Sequence, residues 1–365
     1  MRKHISAMLA ALLMLLCLLP LVGCARIEDE LDQRFPEPTV EEETPVEVED
    51  EFPARTKRTY TVLLTTQLKN ADQLTGIALL TLDTAEGKIH WLEIPTDLFI
   101  HAVGDNLQGH YGNAYRVEQV KEGSTSLTAM QAGVNALRSL LSTGFQIPID
   151  YSVNLDAEQL SDLIKTIGNI PLTLPESMGG LGAGNHTLGA AGAIDFLTYT
   201  RYADPVEGQI NAHIRFAAAM WQQMRTKVTA ENLSLFSMEA RGMMTTDIPN
   251  TGGEDIFFLR KFLRTEPADF AITYLTAQKI YFNGKQTLVM LKENARRQLN
   301  EQMLVYEEAL SDPQFDPSGV FVDHANQMVA AVYTSSAPLP TLHTMAVLLG
   351  LEPELEPGET DSPAE

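Results

Sequence analysis

Hydrophobic residues along the chain follow two different spacings, and their alternation predicts the fold class. Short apolar segments bounded by turn residues predict strands at Thr61–Leu64, Gly76–Leu82, Lys88–Ile94 and Pro148–Leu155. Apolar residues at helical spacing predict helices at Thr125–Leu141, Leu188–Tyr199 and Asn211–Met224. Because strands and helices alternate, we predict an α/β sandwich in which helices flank a mixed central sheet.

Local signals mark one further helix and a loop. Asp156 is a suitable N-cap, Gln159 is the partner expected in a capping box, and Gly168 predicts the helix end. The glycine-rich segment Met178–Gly184 follows no predicted strand and precedes no Lys-Ser/Thr pair, which argues against a phosphate-binding loop. An amphipathic pattern predicts a last helix around Glu293–Leu310.

The N-terminus has the pattern of a bacterial lipoprotein signal. A short basic start precedes the apolar stretch Ile5–Leu19, which is shorter than the about 20 residues that a membrane span needs. Small Gly23 then precedes Cys24, the residue that would carry the lipid after cleavage. The alternative is an uncleaved anchor helix. Both interpretations place the remaining chain at the extracytoplasmic face of the cell membrane, and the first makes Cys24 its contact with membrane lipid.

Acidic residues are concentrated near the two ends of the chain. The formal net charge is −22, and residues 25–56 and 352–365 together hold 18 of the 48 acidic residues. Segments this rich in Glu and Pro extend instead of packing. We therefore predict five parts: a lipoprotein signal peptide over 1–23, an acidic disordered linker over 24–56, a main domain over 57–300, a packed C-terminal extension over 301–351, and an acidic disordered tail over 352–365.

Composition and motifs exclude several classes of function. Cys17 lies inside the apolar stretch and would leave with the signal, so no disulfide and no cysteine-based metal site is expected. The histidines show no zinc-binding spacing, and no dinucleotide-binding or Walker motif is present. Nucleic acid is not expected as a partner, because it would need a basic face.

The order of four segments resembles the LytR–CpsA–Psr family. These segments read "LLTLDTAEGKIHWLEIPTDLFI", "GNAY", "IDYSVNLDAEQLSDLIKTIGNIPLTLP" and "HTLGAAGAIDFLTYTRYADP". The resemblance covers roughly residues 60–250 and extends weakly to about 290. It implies a cell-envelope protein, mostly of Gram-positive bacteria, that transfers glycopolymers from a polyprenyl-pyrophosphate carrier to peptidoglycan. It further implies that the polyprenyl tail lies in an apolar tunnel, that arginines hold the pyrophosphate, and that acidic residues hold Mg²⁺.

Several positions depart from the pattern of the family. The family has Ile-Pro-Arg-Asp after the third strand, whereas this chain has Thr96 in place of the arginine, followed by Asp97. Gln67 and Thr75 stand where the family has aspartates, and Asp72 would compensate only if its loop shifted. Asn113 and Tyr115 of "GNAY" match a family motif near the site, or else hold a loop by hydrogen bonds.

Two arginines remain as candidate pyrophosphate ligands. Arg201 is kept from an Arg-x-Arg pair whose second arginine is Ala203, and Arg215 is kept from a downstream basic pattern. If the alignment there shifts by one residue, His213 also contributes. Arg201 has the alternative role of a helix C-terminal cation, and Arg215 that of a solvated helix residue.

These departures predict a member of the family with a degraded phosphotransferase site that binds a polyprenyl-linked glycopolymer. Losing one electrostatic stabiliser typically lowers a rate by about 10²–10³, so losing most of them leaves little transfer. An active, Mg²⁺-dependent transferase that acts on peptidoglycan remains an alternative, and Mg²⁺ is expected only in that case. A structural or solute-binding lipoprotein is the third possibility.

Overall fold

The structure is a computed structural model that describes residues 59–100, 105–145, 148–250, 253–282, 285–290, Gln298 and 340–352. All of them belong to one compact unit, Ala54–Glu365. The predicted signal peptide, Cys24, the acidic linker and most of the predicted helix at Glu293–Leu310 lie outside the described residues.

A mixed seven-stranded sheet forms the centre of the domain, in the order β13-β10-β3-β2-β1-β6-β9. Its strands are β1 (Thr59–Gln67), β2 (Gly76–Asp83), β3 (Ile89–Ile94), β6 (Tyr151–Asp156), β9 (Thr245–Thr246), β10 (Phe270–Tyr274) and β13 (His343–Thr344). The pairs β1–β6 and β3–β10 are parallel, and the other neighbours are antiparallel. The predicted mixed sheet is confirmed.

Eight described helices surround this sheet. They are α1 (Leu107–Gln119), α2 (Ser126–Phe145), α3 (Ala157–Ile167), α4 (Ala190–Leu197), α5 (Pro205–Lys227), α6 (Leu233–Gly242), α7 (Glu254–Arg264) and α8 (Met345–Leu348). Three two-stranded pairs complete the fold: β4 (Phe99–Ile100) with β5 (Asp105–Asn106), β7 (Ile170–Leu174) with β8 (Gly184–Leu188), and β11 (Ala277–Phe282) with β12 (Lys285–Met290). Within the described ranges, no helix is long and apolar enough to cross a membrane.

Helix ends follow their local sequence. The capping box of Asp156 and Gln159 is present at the start of α3. Helix α5 begins at Pro205, six residues before the predicted start, because the Asp204 side chain accepts hydrogen bonds from the first turn. Helix α1 escaped the sequence analysis, since only four of its 13 residues are buried and its pattern is mostly polar.

The two faces of the sheet are covered differently. On one face, α1 and α2 pack against fully buried strand residues such as Leu63, Leu79 and Leu92. On the other face, α3 to α7 pack mainly against one another and the β7–β8 pair. Because side chains alternate along a strand, the second face carries Val62 and Leu80, and a cavity remains between these residues and the helices.

Candidate functional site

A small polar opening lies where the carboxyl end of β3 meets the start of β2 and the first turns of α5. We call it the mouth; it has a cavity volume of about 50 Å³, and its polar lining is Thr75, Glu93, Thr96, Asp97, Gln209 and His213. Ligands of open α/β sheets commonly bind beyond the carboxyl ends of strands. The mouth occupies such a position.

The segment after β3 is fixed by hydrogen bonds to the start of α1. The amide of Gln108 donates to the carbonyl of Thr96 at 2.9 Å. Asn106 caps α1 through the amide of Gly109 at 2.7 Å, and its side-chain amide donates to Oδ1 of Asp97 at 3.4 Å. The same residue therefore begins the helix and orients the carboxylate at the mouth.

Glu93 and His213 form a buried pair at the inner end of the mouth. Nδ1 of His213 lies 2.9 Å from Oε1 of Glu93, and the two side chains are only 10% and 4% exposed. Nε1 of Trp91 donates to the other carboxylate oxygen of Glu93 at 3.0 Å. Nε2 of His213 lies 3.2 Å from the carbonyl oxygen of Leu197.

These contacts satisfy the polar atoms of the pair. A carbonyl oxygen can only accept, so Nε2 of His213 carries a hydrogen that it donates to Leu197. Nδ1 of His213 shares a hydrogen bond with Oε1 of Glu93, and the other oxygen of Glu93 accepts from Trp91. Every nitrogen and oxygen of the pair therefore has a partner, as buried polar groups require.

Gly76 allows this pair to sit close to the sheet. A Cβ atom at this position would lie 3.3 Å from the His213 ring and 3.0 Å from Oγ1 of Thr66. Both distances are tighter than ordinary van der Waals contact, so only glycine leaves the ring where it is.

A larger apolar cavity continues inward from the mouth, and the two share Gly76, Glu93 and His213 in their linings. Its volume is about 280 Å³. Strand residues such as Val62 and Leu80 form one wall, and helix residues such as Ala217 and Phe258 form the other. Lining residues run from Gly76 to Leu82 along β2, which corresponds to roughly 20 Å at the rise of an extended strand.

The inner end of this cavity has polar groups of its own. Ser237, Arg241 and Asp255 contribute to the lining there. The Ser237 hydroxyl donates to Asp255 at 2.9 Å, and Arg241 donates to the carbonyl of Ile248 at 2.8 Å. The apolar section therefore lies between two polar ends.

Asp97 at the mouth has a raised pKa. Its side chain keeps contact with solvent, yet the surrounding protein partly desolvates the carboxylate and raises its pKa above the ordinary value of 3.8. The hydrogen bond from Asn106 comes from a neutral amide.

The two candidate arginines are not part of the mouth or of the cavity lining. Arg201 is exposed in the loop between α4 and α5. Arg215 is half-buried on α5, two residues after His213, so it projects about 200° around the helix axis from that histidine. Thr96 and Asp97, by contrast, do line the mouth.

The "GNAY" residues lie on α1, across the sheet from the cavity. Tyr115 is buried in the core of that face, and Asn113 donates to Asp105 at 3.3 Å. Asp72 pairs with Arg116 at 3.2 Å. Gln67 is buried with no hydrogen-bond partner for its amide, and it projects toward the packed face.

The resemblance seen in the sequence implies a Mg²⁺ ion, which prefers oxygen ligands and one or two carboxylates alongside substrate phosphates. Both oxygens of Glu93 already accept hydrogen bonds, so Asp97 is the carboxylate that the mouth can offer. The described part of the chain contains no group of three potential metal-ligating side chains. The donor set of the mouth does not fit a metal ion held by the protein alone.

The Glu93–His213 pair could not be recognised as a unit from the sequence. The signal that indicates it is weak: Glu93 interrupts the apolar face of β3 that carries Ile89 and Trp91. His213 follows 120 residues later, so only the assembled fold brings the two together.

The comparisons agree with this architecture. The LytR_cpsA_psr family description matches residues 41–303. The protein gbs0355 from Streptococcus agalactiae superposes with a TM-score of 0.53 at 14% identity, over 67% of this chain and 86% of that chain. TagT from B. subtilis superposes with a TM-score of 0.52 at 14% identity, over 70% of this chain and 95% of that chain.

A further solved structure is TagT bound to LI-WTA, with a TM-score of 0.52 at 13% identity, over 68% of this chain and 90% of that chain. At such identities these likenesses establish the fold. No curated protein sequence matches the chain. The family match spans well over half of the residues, so the chain belongs to the LytR_cpsA_psr family of membrane-associated, extracytoplasmic proteins of cell-envelope glycopolymer transfer.

Proposed function

We propose that this protein binds a glycopolymer linked to a polyprenyl phosphate or polyprenyl pyrophosphate, and that its phosphotransferase site is degraded. The observation that carries the proposal is the apolar cavity of about 280 Å³ behind the mouth. Its long, narrow shape between a sheet and helices suits a hydrocarbon chain, and the polar mouth suits the head group.

Apolar burial supplies the binding energy in this proposal. Transfer of a lipid chain from water contributes about 0.8 kcal/mol for each buried CH₂ group. The lining residues that a chain would touch are mainly aliphatic and aromatic, including Leu64, Leu155, Phe216 and Phe262. An apolar tail can pack against such a lining, because these side chains need no hydrogen bonds from it.

The composition of the mouth is an argument for weak phosphotransferase activity. Thr96 stands where the family has a phosphate-binding arginine, and Thr96 carries no charge. His213 hydrogen-bonds to Glu93 and to the carbonyl of Leu197, so both of its ring nitrogens already have protein partners. Arg201 and Arg215 lie outside the lining. Each missing stabiliser of transition-state charge lowers the rate by about 10²–10³.

The proposal places the protein at the outer face of the cell membrane, held by a lipid on Cys24. The acidic linker over residues 24–56 would keep the domain away from the anionic membrane surface. Peptidoglycan and a polyprenyl-linked glycan are the partners that this position makes accessible. TagT, which shares the fold, has been solved with LI-WTA bound.

Incubation of the full-length protein in detergent with a polyprenyl-pyrophosphate-linked glycan and Mg²⁺ tests the proposal. We expect mass spectrometry to find the intact lipid bound to the protein, with little release of polyprenyl monophosphate. The matched control is Ala217→Phe, which fills the cavity. Release that a chelator abolishes would establish the active transferase instead. If the wild-type protein and Ala217→Phe retain equal amounts of lipid, or if neither retains any, a structural or solute-binding role is the remaining explanation.

A further inference from the structure

We infer that helix α7 closes the inner end of the cavity and limits the lipid tail that the protein selects to about four isoprene units. Phe258 and Phe262, one turn apart on this helix, form the closing surface, which we call the floor. The inference rests on the proposed function, because it concerns the tail of the lipid whose head group would lie at the mouth.

Helix α7 crosses the sheet at the end opposite the mouth. At the start of the helix, the Tyr151 hydroxyl donates to the Glu254 carboxylate at 3.2 Å, and Tyr151 is the first residue of β6. Directly after the helix, the Thr265 hydroxyl donates at 3.1 Å to the carbonyl of Gly87, in the turn before β3. The mouth lies at the carboxyl end of β3. The helix therefore spans the amino ends of these strands, behind the cavity.

The ring of Phe258 marks where the cavity ends on one side. Val62 of β1 and Val153 of β6 belong to the lining, and Tyr60 and Tyr151, two residues before them, lie on the same face of the sheet. Neither tyrosine belongs to the lining. The ring of Phe258 packs edge-on against both, with centroids 5.0 Å and 5.4 Å away. The cavity therefore stops at Phe258.

Phe262 forms the other half of the floor and is held in place from behind. Because it follows Phe258 by four residues, both rings project from the same side of α7. Its carbonyl accepts a hydrogen bond from Nε1 of Trp221 at 2.8 Å, and its ring packs against Phe270 with a centroid distance of 5.7 Å. Trp221 and Phe270 are fully buried. The floor is therefore anchored in the core of the domain.

The length available to a tail follows from the strand residues of the lining. They run from Gly76 at the mouth to Leu82 along β2, which corresponds to roughly 20 Å. An extended chain advances about 1.2 Å for each main-chain bond, so an isoprene unit, with four such bonds, needs about 5 Å. A tail of about four units therefore reaches from the mouth to the floor.

A longer tail finds polar groups at the floor instead of further apolar space. Ser237 and Asp255 line this end of the cavity and are hydrogen-bonded to each other at 2.9 Å. Additional isoprene units would have to remain outside the mouth, where they contact water or detergent and contribute nothing to binding. The tail that fills the cavity should therefore outcompete longer and shorter ones.

Competition among polyprenyl monophosphates that differ by single isoprene units tests this inference. The full-length protein in neutral detergent receives an equimolar mixture, and native mass spectrometry measures which lipids are bound. For the wild-type protein we expect the bound fraction to rise up to about four units and to fall about tenfold or more for a chain twice as long. Even one methylene that does not fit an apolar pocket typically costs about tenfold.

Two variants of the floor should shift this maximum in opposite directions. Phe258→Ala removes the ring that ends the cavity and should favour chains longer by about one unit. Leu259→Phe adds volume beside the floor and should favour shorter chains. The matched control is Phe216→Ala, which removes the same ring from the side wall, one turn after His213, and should leave the preferred length unchanged.

The opposite shifts keep the test informative if thermal unfolding shows that one variant folds poorly. Equal binding of all chain lengths to the wild-type protein would overturn the inference and leave the proposed function standing. The same conclusion would follow if neither floor variant moved the maximum, or if Phe216→Ala moved it as far as Phe258→Ala. Failure of every lipid to bind the wild-type protein would overturn both.

Discussion

The two faces of the central sheet are formed by the same strands, but one face is packed and the other lines a cavity. Leu79 points to the face covered by α1 and α2, where it is fully buried in continuous packing. Leu80, the next residue, points to the face where helices stand away from the strands and line a cavity. Both residues are leucines in β2, so the difference arises from what covers each face.

This difference shows which region holds the fold together and which keeps space for a ligand. Protein interiors are normally packed to the density of organic crystals. Residues that line a cavity of about 280 Å³ lack partner atoms on one side and so forgo dispersion contacts that a packed face keeps. The packed face offsets that loss, and an apolar occupant of the other face would recover part of it.

The largest effect should follow from breaking the buried Glu93–His213 pair. His213→Leu leaves the Glu93 side chain buried without this partner, and loss of one partner of a buried pair typically costs about 3–5 kcal/mol. Urea unfolding measures the change. The double variant Glu93→Leu with His213→Leu should be more stable than His213→Leu alone. A single-variant loss below about 1 kcal/mol would show that the pair is not a buried ion pair.

The neighbours Leu79 and Leu80 give the most direct contrast between the faces. Leu79→Ala opens a void in continuous packing and should lower the free energy of unfolding by about 2–5 kcal/mol. Leu80→Ala only enlarges an existing cavity and should cost less than half as much. Equal losses, measured by urea unfolding, would show that the cavity face is packed as tightly as the other face.

Ala217 and Ala218 provide the reverse test on α5, because a larger side chain fits only where space exists. Ala218 is buried outside the cavity, so Ala218→Phe should overpack the core and cost about 1–3 kcal/mol. Ala217→Phe enters the cavity and should lower the free energy of unfolding by less than half of that amount, as measured by thermal unfolding of both variants. It should also block binding of a polyprenyl lipid. A loss of stability with Ala217→Phe as large as that with Ala218→Phe would mean that no space is available there.

The smallest effect concerns Asp97 and depends on pH. Partial desolvation raises the pKa of Asp97 in the folded protein, so ionisation at neutral pH favours the unfolded chain slightly. Asp97→Asn should therefore be modestly more stable than the wild-type protein near pH 7. The difference should shrink as the pH falls through the raised pKa and vanish below 3.8, where both states hold the proton. A stability gain that does not change with pH would contradict this assignment.

Much of the fold was predictable because it follows local rules. Apolar segments located the first three strands, and the capping box at Asp156 fixed the start of α3. Helix α1 was not predictable from periodicity, since Leu107, Tyr111 and Tyr115 are its only large buried side chains and its other positions are mostly polar. The start of α5 was missed because Asp204 and Pro205 precede the apolar pattern.

The site was less predictable, because it depends on residues that meet only in the folded chain. Thr96 and Asp97 lie together at the mouth, as expected for neighbours in sequence. Glu93 and His213 meet across 120 residues. The cavity itself leaves no trace in hydrophobic periodicity, since Leu79 and Leu80 are equally apolar and only their coverage differs.

The most direct test of the account is native mass spectrometry of the full-length protein with an added polyprenyl phosphate. We predict one bound lipid for each wild-type chain, loss of that lipid in Ala217→Phe, and retention in the surface variant Asp72→Asn. Absence of bound lipid in the wild-type protein, or equal occupancy in Ala217→Phe, would contradict the claim that the space between sheet and helices holds a polyprenyl chain.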